Sequence, residues 1–477
     1  MGSSRSYPFD FAPPIKEDEV VMVVPCGIPG VHNTTFTLSV VPDDSNDHGM
    51  PFIHKRRYGP GDIFPEYVVD PSRLPAYLKT DLHVVVSTRS GTGKAEAFYD
   101  VLKVYLEAVG IHERGTQEGN QNEYNVVVTS HPGSVQEFAR STLSNCTRPT
   151  TVILLSGDGG VVDLLNNCSV VCSSLNSSAV APTVALLPLG TGNALFHSIH
   201  RPLCDASAAD DKPGPHPLVQ ALRTLFLGVP HRLPAFKASF SPCAKLVPVP
   251  SEDLPATDIP PLEVPTPPVP DSFTYPLVPN SYLLGTIVSS YGFHASLVYE
   301  SDTPALRKFG QKRFGMAAAE LLKTAHAYDA AVEYVPYNQE QQGWNSLGRD
   351  KHGYVLAAHV SNMEKTFRIS PSSKPLDGKL WLVNFAPLEG EEVMKIMHAA
   401  YAGGCHVVLE GVGYFPVERL RVTVREPDPR WRKVCIDGTI VELEEGGWME
   451  VSTGQESRLK VLVPQKVAEE SGECFIE

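Results

Sequence analysis

The sequence of 477 residues has no apolar run long enough to span a bilayer, and no charged-then-apolar leader opens it. It also lacks a basic excess. Its formal net charge is -14, which argues against a general nucleic-acid binder because no broad cationic surface is present. The nine cysteines have no zinc-binding spacing and are interpreted as reduced thiols. We therefore expect a cytoplasmic protein without a nucleic-acid partner.

The length indicates more than one domain. Residues 1–75 are rich in Pro, Gly and Asp, with strand signals at 20–24 and 35–41. They form an N-terminal extension whose role the sequence leaves open. Beyond them, β-branched runs at 83–87, 125–129, 151–156 and 183–188 alternate with helical spacing at 95–109 and 135–143. This alternation predicts an α/β domain with a parallel sheet over residues 76–228.

The second half of the chain has a different pattern. Residues 242–279 contain twelve prolines, so residues 229–280 are predicted to be a loop or linker. A mainly antiparallel domain is predicted over 281–465, interrupted by one strong helix at 305–328, with a tail at 466–477. Its predicted strands lie at 282–289, 353–360, 380–384, 405–410, 419–424, 433–436 and 459–463.

Three glycine-rich turns follow predicted parallel strands, at the sheet edge where such folds bind ligands. Their sequences are STRSGTGKA (87–95), SGDGG (156–160) and PLGTGNA (188–194). Backbone N–H groups of such turns, with the start of the next helix, bind phosphate. Each turn alone is equally compatible with a tight strand–helix connection, but three together favour a phosphate site. The first turn is not a Walker A loop, because Thr88 and Ala95 replace residues which that loop requires.

These turns resemble the catalytic domain shared by diacylglycerol kinases, sphingosine kinases and ceramide kinases. SGDGG with its following helix, and then LPLGTGNAL, agree with that family in order and spacing over about residues 81–198. Further along, SYGFHA (290–295), RKFGQKRF (307–314) and CIDG (435–438) resemble later family segments. The resemblance implies a nucleotide-binding domain of the NAD-kinase and diacylglycerol-kinase type. It also implies a β-sandwich-like lipid-binding domain, with the active site in the cleft between the two.

The resemblance and the chemistry of the side chains together nominate site residues. Asp158 would take the proton of an acceptor hydroxyl or help to hold magnesium; the alternative is an Asx turn that caps the helix after it. Asp437 would be the magnesium-linked carboxylate, and Ser296, Glu300 or Asp302 would contact the lipid. Residues expected to bind ATP are Ser87, Arg89, Ser90, Gly91, Gly93, Lys94, Ser156, Gly157, Gly159, Gly160, Gly190, Thr191, Gly192, Asn193, Arg307 and Arg313.

Two departures from the family pattern leave the substrate open. Ser296 stands where the family has Asp, and Thr439 replaces the Glu of its D-G-E turn. Glu300 or Asp302 is expected to supply the missing carboxylate. On the helix after SGDGG, Asp163 either fixes a neighbouring cation or loop, or lies on a solvated face.

The sequence thus predicts a lipid kinase that uses ATP and Mg²⁺, with a sphingoid long-chain base as the first choice of acceptor. The alternatives are a diacylglycerol or ceramide kinase, an NAD kinase-like enzyme, and a non-catalytic nucleotide-binding scaffold. The first residues fit a myristoylation pattern with Gly2 as acceptor. We therefore expect a cytoplasmic protein that associates peripherally with membranes and has a membrane lipid as its partner. The sequence gives no oligomeric state.

Overall fold

A computed structural model describes most of the chain. The described residues are 15–25, 33–41, 51–59, 64–91, 93–116, 122–144, 146–168, 180–209, 214–247, 282–339, 343–455 and 458–471. Gly2, most of the predicted proline-rich linker and the last six residues lie outside them. No helix in the described part is long and apolar enough to cross a bilayer.

The secondary structure follows in chain order. The strands are β1 (Val20–Val24), β2 (Asn33–Val40), β3 (Phe52–Gly59), β4 (Asp81–Val86), β5 (His112–Glu113), β6 (Glu123–Val128), β7 (Thr150–Ser156), β8 (Thr183–Pro188), β9 (Val229–Arg232), β10 (Ala235–Phe240), β11 (Lys245–Leu246), β12 (Tyr282–Gly285), β13 (Val288–Gly292), β14 (Tyr328–Pro336), β15 (Asn345–Ser346), β16 (Lys351–His352), β17 (Tyr354–Ala358), β18 (Leu380–Phe385), β19 (Gly413–Val424), β20 (Lys433–Ile436), β21 (Thr439–Glu442), β22 (Trp448–Gln455) and β23 (Lys460–Val463). The helices are α1 (Ala95–Ala108), α2 (Ser134–Phe138), α3 (Asp158–Asn167), α4 (Ala194–Ala209), α5 (Pro217–Leu227), α6 (Phe293–Ser301), α7 (Pro304–Arg307), α8 (Lys312–Thr324), α9 (Gly390–Tyr401) and α10 (Gln465–Ser471).

The predicted parallel sheet is present. Within the described residues its strand order is β5-β6-β4-β7-β8-β23-β9, and every pair except β23–β9 is parallel. Side chains alternate between two buried faces, as a sheet covered on both sides requires. In β4, for example, Val84 and Val86 pack with α1 and α5, whereas Val85 packs with α2 and α3.

The last strand of this sheet comes from the far end of the chain. The sequence pattern assigns residues 459–463 to the second domain, but β23 pairs with β8 and β9 of the parallel sheet. A short apolar strand shows no partner in its own sequence, so the pattern could not reveal this pairing.

The second domain is one curled antiparallel sheet. Its central path is β11-β21-β20-β13-β17-β18-β19-β22-β10-β12, and β14 pairs with β19. The long strand β19 holds the curl together, because its first residues pair with β18 and its last with β22 and β14. The two-domain fold class, a parallel α/β sheet and a separate antiparallel sheet, is therefore confirmed.

The N-terminal extension contributes a third, small sheet in the order β1-β2-β3. Its apolar side chains join the core formed by α1 and α5. The Tyr105 hydroxyl donates to the Thr37 carbonyl at 3.1 Å, and Arg223 Nε donates to the Val20 carbonyl at 2.8 Å. The extension therefore covers the outer face of the helices on that side.

Three local predictions were wrong. The first part of the predicted linker, residues 229–246, contains β9, which pairs with β23, and β10 and β11, which belong to the antiparallel sheet. The continuous helix predicted over 305–328 is broken into α7 and α8 by a turn in which Gly310 has φ +54°, and Tyr328 already begins β14. The strand predicted over 405–410 is a 3₁₀ helix at Cys405–Val408. Apolar spacing gave the wrong backbone geometry in these two segments, where Phe309 and Val408 are also exposed.

Leu462→Ala should lower the free energy of unfolding by about 2–5 kcal/mol, because the side chain is 1% exposed in the parallel-sheet core. Thermal unfolding followed by circular dichroism would measure this loss. Leu409→Ala is the control, since Leu409 is 39% exposed and should cost little. Equal melting temperatures for Leu462→Ala and wild type would contradict the assignment of β23 to that core.

Candidate active site

The three glycine-rich turns touch one another at the edge of the parallel sheet. They follow β4, β7 and β8, which are neighbours in the sheet. A methyl group built on Gly190 would lie 2.4 Å from Gly157 Cα, and one on Gly91 would lie 2.6 Å from Gly190 Cα. Gly91 also has φ +44°, a conformation that side chains disfavour. Close backbone packing therefore explains these three glycines without a ligand.

The other glycines of the turns differ in how much space surrounds them. A methyl group on Gly159 or Gly93 would meet no atom within 4 Å. Gly160 packs on the Ser156 hydroxyl, and a methyl group on Gly192 would lie 3.1 Å from the Met363 carbonyl oxygen. Gly159 and Gly93 are thus the positions where a phosphate group could approach the backbone.

Side chains of the turns hold this arrangement. Ser90 Oγ accepts the Gly157 N–H at 2.9 Å and lies 3.4 Å from the Ser156 hydroxyl. Both ends of the Asn193 amide bond to the backbone of Gly190, each at 2.9 Å. Asn193, expected to contact nucleotide oxygens, is thus engaged within its own turn. The remaining residues proposed for the first turn, Ser87, Arg89 and Lys94, lie around it, with Arg89 exposed and the other two half-buried.

Asp158 is the first residue of α3, but it caps a different helix. Its Oδ2 accepts the Ala194 N–H at 2.7 Å and its Oδ1 accepts the Leu195 N–H at 3.1 Å, at the start of α4. The Asx turn considered from the sequence, which would cap α3 itself, is therefore not formed. Burial raises the pKa of Asp158 to about 6, against the opposing effect of the two backbone bonds. Its neighbour on α3, Asp163, points elsewhere and accepts from Gln136 at 2.9 Å.

Asp437, the predicted metal-linked carboxylate, comes from the other domain. It lies in the turn between β20 and β21, with φ +48°, and its carboxylate accepts the N–H groups of Thr286, Ile287 and Val288 at 2.6–3.0 Å. Burial raises the pKa of Asp437 to about 7 against the opposing effect of the three backbone bonds, and the charge of Asp158 makes a smaller upward contribution to that value. The two carboxylates therefore lie close enough for their charges to interact.

The two predicted phosphate-binding arginines converge on one carboxylate. Asp302 accepts two hydrogen bonds from Arg307, at 3.0 and 2.8 Å, and one from Arg313 at 2.9 Å. The break at Gly310 makes this possible, since a continuous helix would place residues six apart on different faces. Asp302, expected to contact the lipid, instead orients the arginine pair.

The other two predicted lipid contacts are engaged in the fold. Ser296 is buried and accepts the Tyr328 hydroxyl at 2.9 Å. Glu300 accepts two bonds from Arg430 at 3.0 and 2.7 Å. Neither side chain lies on Asp158 or Asp437 among the contacts that the structure describes.

Several residues that join the two domains were missed from the sequence. The Asn166 amide bonds reciprocally to the backbone of Leu284, at 2.9 Å in both directions. Ser198 exchanges hydrogen bonds with the backbone of Asn362 at 3.0 and 3.1 Å. Gln311 donates to the Thr191 carbonyl at 3.1 Å. Asn166 lies on the helix after SGDGG and Gln311 lies inside RKFGQKRF, but no spacing rule marks either residue as an interdomain contact.

A small recess lies near the two carboxylates. Leu195 and Thr286, the residues whose N–H groups bind Asp158 and Asp437, line it, but neither carboxylate does. His359 also lines it, is buried, and has hydrogen-bond partners on neither ring nitrogen. Burial lowers the pKa of His359 to about 3, so it is neutral at physiological pH. The recess combines apolar walls with a few polar groups.

Residues 81–212 match the family model of the diacylglycerol kinase catalytic domain. This part of the chain is similar to a diacylglycerol kinase catalytic domain. It contains all three glycine turns and Asp158. No curated protein matches the chain in sequence.

Two solved structures from Bacillus anthracis str. Sterne are similar to the chain. One, assigned as a diacylglycerol kinase, has 13% identity and a TM-score of 0.47. The other, described as a diacylglycerol kinase, has 10% identity and a TM-score of 0.43. Each comparison covers 81% of this chain and 98% of the other. Both likenesses are too distant to assign a substrate.

Two glycine substitutions should distinguish a glycine required for backbone packing from a glycine that contacts bound phosphate. Gly190→Ala should lower the free energy of unfolding by about 1–3 kcal/mol, because its methyl group would overlap Gly157. Gly159→Ala should leave stability intact, since that position faces open space. It should nevertheless weaken ATP binding, measured by calorimetry, if phosphates lie against this turn. Unchanged ATP affinity in Gly159→Ala would contradict the phosphate site there.

Proposed function

We propose that the chain is an ATP- and Mg²⁺-dependent lipid kinase that transfers the γ-phosphate to a lipid hydroxyl, with a sphingoid long-chain base as acceptor. The observation that carries the proposal is Asp158. It stands among the three converging turns of the part of the chain that matches the diacylglycerol kinase catalytic domain, within electrostatic range of Asp437. Phosphoryl transfer depends on positioning and on charge stabilisation more than on covalent chemistry, which suits such a site.

Asp158 has the capacity to take a proton. A carboxylate offers about four lone-pair positions, and the bonds from Ala194 and Leu195 use two of them. The remaining positions can accept the hydrogen of an acceptor hydroxyl. A pKa of about 6 makes Asp158 a stronger base than an ordinary aspartate while it stays ionised at neutral pH.

Magnesium fits the donors present. The described residues contain no cluster of three or more His, Cys, Asp or Glu side chains. Mg²⁺ is usually held by one or two carboxylates together with substrate phosphates, so such a cluster is not required. Asp437, whose three backbone bonds leave one lone-pair position, and Asp158 would hold the ion. When bound, magnesium neutralises the charge on the phosphates.

The arginine pair supports nucleotide binding from the second domain. Asp302 uses Nε and one terminal nitrogen of Arg307 and one terminal nitrogen of Arg313. Each guanidinium therefore keeps a second terminal nitrogen for phosphate oxygens. Gln311, between the two arginines, already touches the third glycine turn. Asp302 thus acts as a positioning residue for this pair.

The similarity of residues 81–212 to the diacylglycerol kinase catalytic domain supports a lipid acceptor. Ile199 and Leu376 give the small recess at Leu195 and Thr286 apolar walls. A sphingoid base is preferred over diacylglycerol and ceramide because the SGDGG, LPLGTGNAL and RKFGQKRF segments most closely resemble the sphingosine kinase branch of the family.

A lipid panel with γ-labelled ATP tests the proposal. The purified chain should phosphorylate sphingoid bases faster than diacylglycerol or ceramide, and NAD should not be an acceptor. Asp158→Asn should reduce kcat by about 10²–10⁴-fold, the usual contribution of a general base. Asp163→Asn is the matched control: Asp163 is a partly buried carboxylate of the same helix whose side chain bonds Gln136.

The outcomes separate the candidates. Faster turnover with diacylglycerol or ceramide would make that lipid the acceptor in place of a sphingoid base. Turnover with NAD alone would indicate an NAD kinase-like enzyme. ATP binding without transfer to any acceptor would indicate a nucleotide-binding scaffold.

The pH dependence of kcat/KM should reflect the pKa values of Asp158 and Asp437. Below its pKa a protonated Asp158 cannot accept the hydroxyl proton, so kcat/KM should fall as the pH falls. Because burial raises both pKa values, the midpoint of this acid limb should lie between about 6 and about 7. Initial rates across this range would measure it, with circular dichroism to confirm folding. A midpoint near the ordinary aspartate value of 3.8 would contradict the role of Asp158.

A further inference from the structure

A turn of the second domain lies along helix α4. Residues 362–368 lead out and back: their two ends form an antiparallel bridge, and the Met363 N–H donates to the Phe367 carbonyl at 3.0 Å. Lys365 is at the tip, and its side chain is exposed. We call residues 362–368 the Lys365 turn.

Both ends of the Lys365 turn are bound to α4. Ser198 exchanges hydrogen bonds with the backbone of Asn362 at 3.0 and 3.1 Å. Arg368 donates to the Asp205 carboxylate at 2.5 Å. Ser198 and Asp205 are about two helical turns apart and so lie on one face of α4. The Lys365 turn is thus fixed on the first domain although it belongs to the second.

The tip of the Lys365 turn faces the start of α4. A methyl group on Gly192 would lie 3.1 Å from the Met363 carbonyl oxygen and 4.0 Å from Asp158 Oδ2. In the first part of α4, burial lowers the pKa of His197 to about 4, and the charge of Lys365 contributes in the same direction. The ammonium group of Lys365 therefore lies within electrostatic range of His197, a helical turn beyond the third glycine turn.

A second histidine lies within range of the same lysine. Partial desolvation lowers the pKa of His216 to about 4, and the charges of Lys365 and Lys94 add to this effect. Because Lys94 belongs to the first glycine turn, lysines of both domains act on His216. His216 Nδ1 accepts the Leu218 N–H at 3.2 Å, which leaves the proton of the neutral ring on Nε2 as a hydrogen-bond donor. We call Lys94, His197, His216 and Lys365 the basic cluster.

The acidic residue next to Lys365 in sequence does not neutralise it. Glu364 accepts the Gln311 amide at 2.7 Å and also accepts the Tyr401 hydroxyl. Within the described part of the chain, Lys365 forms no ion pair. An uncompensated lysine beside two neutral imidazoles attracts an anion, and phosphate oxygens can accept hydrogen bonds from all three side chains.

We infer that the basic cluster binds a phosphate group of the nucleotide, with Lys365 as the contact that the second domain contributes. The inference rests on the proposed lipid kinase function, since Lys94 is one of the residues expected to bind ATP. Lysine commonly binds phosphate as a point charge. A phosphate held by the basic cluster contacts both domains and stabilises the position of the Lys365 turn over the third glycine turn.

Calorimetry without lipid tests this contact on the full chain, with ATP and inorganic pyrophosphate as probes. Lys365→Gln should raise both dissociation constants by about tenfold or more, because a charge-assisted hydrogen bond to phosphate is lost. Lys365→Arg should retain most of the affinity, since it keeps the charge. Lys395→Gln is the matched control and should bind like the wild type, because Lys395 is an exposed lysine on α9 of the same domain.

The outcomes distinguish this contact from the proposed function. An unchanged ATP dissociation constant in Lys365→Gln would overturn the inference. A loss confined to pyrophosphate would also overturn it, because the basic cluster would then bind the phosphate of another ligand. A wild-type chain that binds ATP through Lys365 but phosphorylates no lipid would leave the inference standing and remove the proposed function instead.

Discussion

The contact between Gly157 and Gly190 is the constraint on which the site depends. Their backbones approach so closely that neither position admits a side chain. This contact sets the end of β7 against the end of β8 and so fixes the first turn of α3 relative to the first turn of α4. Asp158 can then bridge the two elements, accepting N–H groups of α4 from its position on α3. The close contact of the two glycines thus places the N–H groups of Ala194 and Leu195 where they hold the Asp158 carboxylate in one orientation.

The relation between the domains is set by polar contacts of the backbone. Asn166, two turns after Asp158 on α3, binds Leu284 of β12, and β12 leads into the three N–H groups that hold Asp437. Ser198 on α4 similarly binds the backbone of Asn362. Each contact ties a helix that positions Asp158 to the second sheet. The separation of the two acidic groups is thus determined by hydrogen bonds whose geometry is specific, in addition to a shared apolar core.

The sequence was sufficient for the features that depend on local pattern. β-branched runs located the strands of the parallel sheet, and the glycine turns located the edge where the three turns meet, since both follow from short-range preferences. The sequence did not reveal that Asp302 joins Arg307 and Arg313, because that contact depends on how a helix break at Gly310 orients two short helices. It also did not reveal that β23 belongs to the first sheet or that Asp158 caps α4. Those features depend on partners far away in the chain, which spacing cannot identify.

The late position of β23 has a consequence for how the protein is made. The first sheet lacks its strand between β8 and β9 until residues 460–463 have been synthesised, more than two hundred residues after β9. A ribosome-bound catalytic domain would expose the unpaired edge of β8 during all that time, and exposed edges are prone to wrong pairing. The second domain must therefore be translated before the sheet of the first domain can be completed. Only then can β23 pair with β8 and β9.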